Sequence, residues 1–282
     1  GADANFKHAD LRATALFGSA RFRAPTVFTG LNSARTVYFN AARFEDGRRR
    51  RIYLMRHAQA DYFAPDGARR PDPNAVPLTP QGRQEALAMA DWLSPVPFDR
   101  AICSGLPRTV ETATIVLGGR DLALEHAPAL KEIQGGDMET RAALDPADYA
   151  YSMFRAGHPE ARFAAGERFA DFRDRVLPAF GGILEDVAWT NLLLVCHGGT
   201  NRAILTWFLG LGLDTFGQFE QDSCCLNILD FDQIDGDGRI ARRIVRAINM
   251  TALDTAKTGS RYLSMEGLAQ RQEAAKKIAP EK

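Results

Sequence analysis

Three short apolar runs punctuate the chain, at 52–55 (Ile-Tyr-Leu-Met), 101–103 (Ala-Ile-Cys) and 192–196 (Leu-Leu-Leu-Val-Cys). Runs this short are ambiguous between strand and helix when taken alone. The segments between them settle the reading, because they repeat apolar residues at helical spacing. Thr79-Pro80 is a helix start, with Thr as N-cap and Pro at the first helical position, and Ala86, Ala90 and Leu93 follow before Ser94-Pro95 stops the run. Pro107 opens a second helix that Gly118-Gly119 closes. Phe169, Phe172, Val176, Phe180 and Ile183 predict a third, kinked at Pro178. A fourth follows Gly199, with Ala203, Ile204, Trp207 and Phe208 as its buried face. Near the C-terminus, 225–231 and 240–248 flank Asp235-Gly-Asp-Gly238, a hairpin signal. Strands alternating with helices imply an α/β sandwich on a largely parallel sheet, and in such sheets the site lies beyond the carboxyl ends of the strands.

Composition changes this picture little. Apolar residues are 45% of 282 and charged residues 25%, enough to bury a core. Lys+Arg and Asp+Glu are 35 each, which argues against a nucleic-acid-coating protein. The four cysteines form no disulfide framework and no Cys-x-x-Cys pair. A reducing, cytoplasmic location is therefore expected. No 18-residue apolar span occurs, so no membrane-spanning helix is expected. The charge is uneven, however. Residues 1–51 hold ten Lys/Arg against four Asp/Glu, ending in Arg48-Arg49-Arg50-Arg51. Residues 1–50 are read as a solvated basic extension whose last arginines precede the first strand. A transit segment or a patch for an anionic partner is the sharper alternative. Residues 51–250 are read as one α/β domain and 251–282 as a polar helical tail. The least patterned stretch, 136–165, is read as an insertion over the site.

The strand ends carry the chemistry. The first ends in Arg56-His57, the second in Ser104-Gly105-Leu106-Pro107-Arg108 and the third in His197-Gly198-Gly199. If the strands are neighbours, two histidines and two arginines converge at one edge. Imidazole is a competent nucleophile near neutrality, and guanidinium forks match phosphoryl oxygens. Phosphoryl transfer needs positioning and charge stabilisation above all. Two other motifs fail on spacing. Cys103 and Arg108 have four residues between them where a cysteine phosphatase needs five, and the acidic run from Asp230 is out of step with a calcium loop.

These blocks resemble the histidine phosphatase superfamily, with its phosphoglycerate mutase-like fold. Arg56-His57-Ala58 is similar to the Arg-His-Gly signature. Leu78-Thr-Pro-Gln-Gly82, Ser104-Gly-Leu-Pro-Arg108 with Glu111-Thr112-Ala113, Leu130-Lys-Glu132 and Val195-Cys-His197-Gly-Gly resemble the later blocks in family order. The resemblance implies a three-layer α/β/α sandwich and a phosphoric monoester hydrolase that needs no metal and no cofactor. It implies that His57 becomes a phosphohistidine, that Arg56, Arg108, His197, Gln59 and Gly198 bind the phosphoryl group or substrate, and that Glu132 is the general acid/base, with Glu139 as a second candidate. The expected partner is a small phosphorylated substrate, with a homodimer neither implied nor excluded. Two alternatives stand beside it: a protein phosphatase acting on phosphohistidine or phosphoserine/threonine, and a catalytically silent binding protein. Ala58, and Gln59-Ala60 in place of Glu-Thr, depart from the family pattern where substrate is often touched. His158 and Arg69-Arg70 are read as solvated, and Tyr62-Phe63 and Met153-Phe154 as packing rather than a leaving-group pocket.

Overall fold

The computed structural model describes residues 21–22, 43–44, 47–64, 70–234, 240–259 and 261–278. The chain divides into two compact units: Gly1–Arg49 with Phe231–Arg242, and Arg50–Asp230 with Arg243–Lys282. In the first, β1 (Arg21–Phe22) pairs in parallel with β2 (Arg43–Phe44). There Asp232 accepts from Arg49 at 2.8 Å and pairs with Arg242 at 2.6 Å.

From residue 47 onward the chain follows the alternation expected from the sequence. In chain order come β3 (Gly47–Arg56), α1 (Pro80–Leu93), β4 (Arg100–Cys103), α2 (Pro107–Leu117), β5 (Leu124–His126), α3 (Met138–Ala143), α4 (Pro146–Ala150), α5 (Phe169–Glu185), β6 (Asn191–Cys196), α6 (Gly198–Leu209), β7 (Leu226–Ile234), β8 (Ile240–Met250) and α7 (Ser264–Ile278). Among the described residues the main sheet has the order β5-β4-β6-β3-β7-β8. The pairs β5–β4, β4–β6 and β6–β3 are parallel. This is the mixed α/β sandwich, largely parallel at its centre, that the alternating pattern implies.

Side-chain alternation along these strands builds two core layers. Tyr53 and Met55 of β3, Leu193 and Val195 of β6, and Ala101 and Cys103 of β4 pack with Ala86, Met89 and Leu93 of α1 and Ala113, Val116 and Leu117 of α2. The intervening residues Ile52, Leu54, Leu192 and Leu194 are equally buried and point to the other face. The α5 and α6 helices pack against each other and bury Phe169, Phe172, Phe180, Ile204 and Phe208. Helix α5 runs unbroken through Pro178, and Trp207 of α6 is only half-buried.

The arginine run does not precede the first strand but lies inside it. Arg50 is 1% exposed, its guanidinium 3.6 Å from the Trp189 ring centre, and donates to the carbonyls of Trp189 and Leu184. Arg51, pointing oppositely, pairs at 2.6 Å with Asp230, a carboxylate with no exposed surface that Arg246 also reaches at 2.8 Å. Charge on a strand is thus absorbed by partners distant in sequence. The turn expected at 235–238 lies outside the described residues.

The parallel register brings three carboxyl ends to one edge. Arg56 lies opposite Cys196, and Cys103 opposite Val195. The His57 N–H then donates to the Cys196 carbonyl at 2.9 Å and the Ser104 N–H to that of Val195 at 3.3 Å. The α1 N-terminus closes over the loop after β3 so tightly that a Cβ on Gly82 would sit 2.1 Å from the Gln59 carbonyl oxygen. Only glycine permits that approach.

Candidate active site

His57 is 3% exposed, and its Nδ1 lies 2.7 Å from the Ala58 carbonyl oxygen. A carbonyl only accepts, so Nδ1 carries the proton and Nε2 keeps its lone pair. His197, fully buried, is fixed by a chain of hydroxyls. Thr109 Oγ1 donates to the Leu106 carbonyl at 2.8 Å, so Ser104 Oγ donates to Thr109 Oγ1 at 3.0 Å, and His197 Nε2 donates to Ser104 Oγ at 2.7 Å. That leaves His197 Nδ1 to accept from Arg108, at 3.4 Å. The two imidazole centres are 5.3 Å apart, edge to face.

Three guanidinium groups surround the pair. Arg108, in the first turn of α2, donates to the Pro73 carbonyl at 2.8 Å, and Arg56 donates to that of Gln221 at 2.5 Å. Arg202, in the first turn or so of α6 and 3% exposed, pairs with Glu220 at 3.3 Å. The Nε atoms of Arg56, Arg108 and Arg202 are buried without a hydrogen-bond partner. Buried cationic donors of this kind suit an anion.

Glu132 caps α6. Its Oε1 accepts from the Gly199 N–H and the Ile133 N–H, each at 3.0 Å, and its Oε2 lies 3.1 Å from the same Gly199 nitrogen. A carboxylate is favoured at a helix N-terminus. The Gly198-Gly199 pair is what makes room. A Cβ on Gly199 would lie 2.4 Å from Glu132 Oε1, and one on Gly198 would lie 3.1 Å from an Arg202 terminal nitrogen and 3.7 Å from Arg56 Nε.

Electrostatics follow from burial. Both histidines are held well below the ordinary imidazole pKa, first by desolvation and then by Arg108. They are therefore neutral in the folded protein at pH values where an unfolded histidine is charged. The consequence for stability has a definite sign. Above the unfolded value of about 6.5 neither state binds protons here, so stability is flat from this source. As pH falls below it the unfolded chain binds protons that the folded chain refuses. Stability then drops by up to ~1.4 kcal/mol per pH unit per histidine. Chemical denaturation between pH 7.5 and 5.5 checks this, with His57→Gln expected to remove one proton from the slope. Burial also keeps the thiols inert, pushing Cys225 up to about 12.

The site has two compartments that share Arg56 and His57. The inner one, about 90 Å³, is also lined by Arg108, Glu132, Gly198 and Arg202. The outer one, about 640 Å³, runs from Gln59 and Tyr62 to α7. Of the residues expected from the sequence, Arg56, His57, Arg108, Glu132 and Gly198 come together at the inner compartment. His197 stands behind them against Arg108. Gln59 lines the outer compartment, with its side-chain carbonyl accepting from Thr79 Oγ1 at 2.8 Å. Glu139 is exposed on α3 and lines neither compartment. His158 is exposed and Arg70 pairs with Asp61, whereas Arg69 lies outside the described residues. Tyr62 and Met153, read from sequence as packing, also line the site.

Arg202 and Glu220 were not legible as site residues. The signal for Arg202 was its place four residues after Gly198, one turn along the same helix face. Arg141, Tyr149 and Phe163 of the unpatterned stretch also reach the inner compartment. Among the described residues no three His, Cys, Asp or Glu side chains converge as a metal site requires, and no helix is long and apolar enough to cross a membrane.

Residues 52–242 match the family model described as histidine phosphatase superfamily (branch 1). The adenosylcobalamin/alpha-ribazole phosphatase of Escherichia coli is 29% identical over 188 residues, covering 65% of this chain and 91% of that protein. "Probable phosphoglycerate mutase GpmB" of Cronobacter sakazakii is 26% identical over 186 residues, covering 64% and 85%. A crystal structure from E. coli described as "a putative alpha-ribazole-5'-P phosphatase" superposes with a TM-score of 0.56 at 26% identity, covering 71% of this chain and 96% of that one.

Proposed function

The chain belongs to the histidine phosphatase superfamily, branch 1, and on that premise we propose that it hydrolyses small organic phosphate monoesters through a phosphohistidine on His57. The observation that carries this reading is the inner compartment itself. A neutral imidazole with Nε2 uncommitted stands beside four lining arginines and one lining carboxylate, Glu132. Four arginines against one carboxylate leave the lining with a surplus of formal positive charge, which suits an anionic phosphomonoester.

The steps follow from the groups present. Arg56, Arg108 and Arg202 receive the non-bridging oxygens. His57 Nε2 attacks phosphorus in line, and the bond to the leaving oxygen breaks as the N–P bond forms. Glu132, the carboxylate that caps α6, is favoured in its protonated form once the dianion is bound beside it, and gives that proton to the leaving oxygen. The resulting carboxylate then takes a proton from water, whose oxygen attacks phosphorus and releases inorganic phosphate and free His57. His197 orients Arg108 while neutral. A bound dianion favours its protonated form, which can also donate to a phosphoryl oxygen. The arginines supply the charge stabilisation, so no metal is needed in this scheme.

Two points favour hydrolysis of a small molecule. Glu132 and His197 are only 65 positions apart, leaving little chain for the longer insertion of family members with mutase activity. Residues of the 136–165 stretch wall the inner compartment, which leaves less room for a phosphoprotein surface. The relatives named above include an alpha-ribazole phosphatase, in keeping with a small phosphate ester. A turnover screen over phosphorylated metabolites and phosphopeptides, with and without chelator, tests the proposal. Chelator-insensitive release of phosphate from metabolites is the expected result. Turnover confined to phosphopeptides, or activity lost to chelator and restored by zinc, would overturn it.

A further inference from the structure

The outer compartment extends well past the reacting groups. It begins at Arg56 and His57, passes Tyr62, and is walled by one face of α7, where Gly267, Gln270, Arg271 and Ala274 recur at helical spacing. Its volume of about 640 Å³ falls in the range of pockets that enclose whole drug-sized ligands, roughly 300–1,000 Å³.

Helix α7 is held in place, which makes this wall a defined one. The N–H and hydroxyl of Ser264 donate to Glu220 Oε1 at 3.3 and 2.7 Å, and the other oxygen of Glu220 holds Arg202 of the inner compartment. Glu266 accepts from the Leu263 N–H at 2.7 Å and from the Tyr151 hydroxyl at 2.6 Å. Met265 and Ala269 are buried beneath the helix.

Gly267 is the informative residue. A glycine inside a helix costs about 1 kcal/mol relative to alanine, and such a glycine usually marks a close approach. Here there is none, for a Cβ at Gly267 meets nothing within 4 Å, although the residue lines the cleft. The missing side chain leaves the cleft open instead of letting another element approach.

We propose that this outer compartment is the leaving-group subsite, that Gly267 sets its bore, and that it selects phosphate monoesters of large alcohols bearing a flat ring system over two- or three-carbon ones. The claim rests on the phosphatase reading above. Tyr62 and Tyr262 line this compartment, and aromatic side chains are the groups against which a flat ring packs.

The test uses the full chain and four probes: 1-naphthyl phosphate and adenosine 5'-monophosphate as large esters, glycerol phosphate and phosphoserine as small ones. The parent is expected to favour the large esters in kcat/KM. Gly267→Leu is expected to lower kcat/KM for the large esters by ~10- to ~100-fold, chiefly through KM, and to leave the small esters within about twofold. Gly267→Ala, a milder filling, is expected to fall between. Inhibition by the product alcohols 1-naphthol and adenosine should weaken in parallel, with inhibition by inorganic phosphate unchanged. A parent that prefers the small esters, or a folded Gly267→Leu that treats both sizes as the parent does, overturns the subsite assignment while leaving the phosphatase reading intact. A parent that turns over no phosphomonoester at all overturns the phosphatase reading.

Discussion

His57→Ala is expected to lower kcat for an activated aryl phosphate by ~10⁴-fold or more, the scale seen when a nucleophile is removed. The substitution deletes Nε2, the one ring nitrogen that the Ala58 carbonyl leaves uncommitted. No neighbour can replace it. His197 commits its Nε2 to Ser104 and its Nδ1 to Arg108, and the thiols of Cys196 and Cys225 are buried and pushed up in pKa. Binding should survive, because the arginines remain and the neutral imidazole contributes no charge. Inorganic phosphate is therefore expected to bind the variant within a few-fold of the parent affinity. Quench-flow or steady-state turnover measures the first quantity and calorimetry the second. Substantial activity in a folded variant would remove His57 from the nucleophile's role.

Glu132→Gln has the second-largest expected effect, and its size should depend on the leaving group. The isosteric amide can still present an oxygen to the Gly199 N–H, so the α6 cap is kept and the stability change should stay near ~1 kcal/mol. Proton delivery is lost. For alkyl phosphates, whose leaving alkoxides need that proton, kcat is expected to fall by ~10²- to ~10⁴-fold. For an aryl phosphate with an acidic leaving phenol the loss in the first step should be far smaller. Glu139→Gln is the control: Glu139 is exposed on α3 and outside both compartments, so no change is expected in either series. A plot of log kcat against leaving-group pKa separates these cases. A Glu132→Gln line parallel to the parent's would reject the general-acid assignment.

How much of this was legible in the chain depended on whether each signal was local. The buried strands could be read because a strand covered on both faces needs an unbroken apolar run, and 192–196 is one. The helix starts could be read because Thr79 and the prolines at 80 and 107 satisfy local geometry. The site residues could be read because strand ends in a parallel sheet share an edge. What escaped was set by distant partners. The arginines of β3 looked like solvent-facing charge, since Trp189, Asp230 and Asp232, which absorb them, lie more than 130 positions away. Arg202 looked like one helix arginine among many until its packing beside Gly198 and Arg56 was visible. Helix α7 is polar enough to read as a surface tail, and only its attachment through Glu220 and Glu266 makes it a wall of the cleft. Gly267 carries no sequence signal, because a glycine that keeps space open looks the same as one that fills a turn.

The account stands on a phosphoryl group carried by His57. Rapid acid-free quenching of the enzyme during turnover of a good substrate, followed by peptide mass spectrometry, measures it. The expected result is a phosphoryl group on the peptide containing His57, stable to base and labile to acid, and longer-lived in Glu132→Gln, which lacks the base for its hydrolysis. A label found on another residue, or turnover with no covalent phosphoryl group under conditions where dephosphorylation is rate-limiting, would contradict the account.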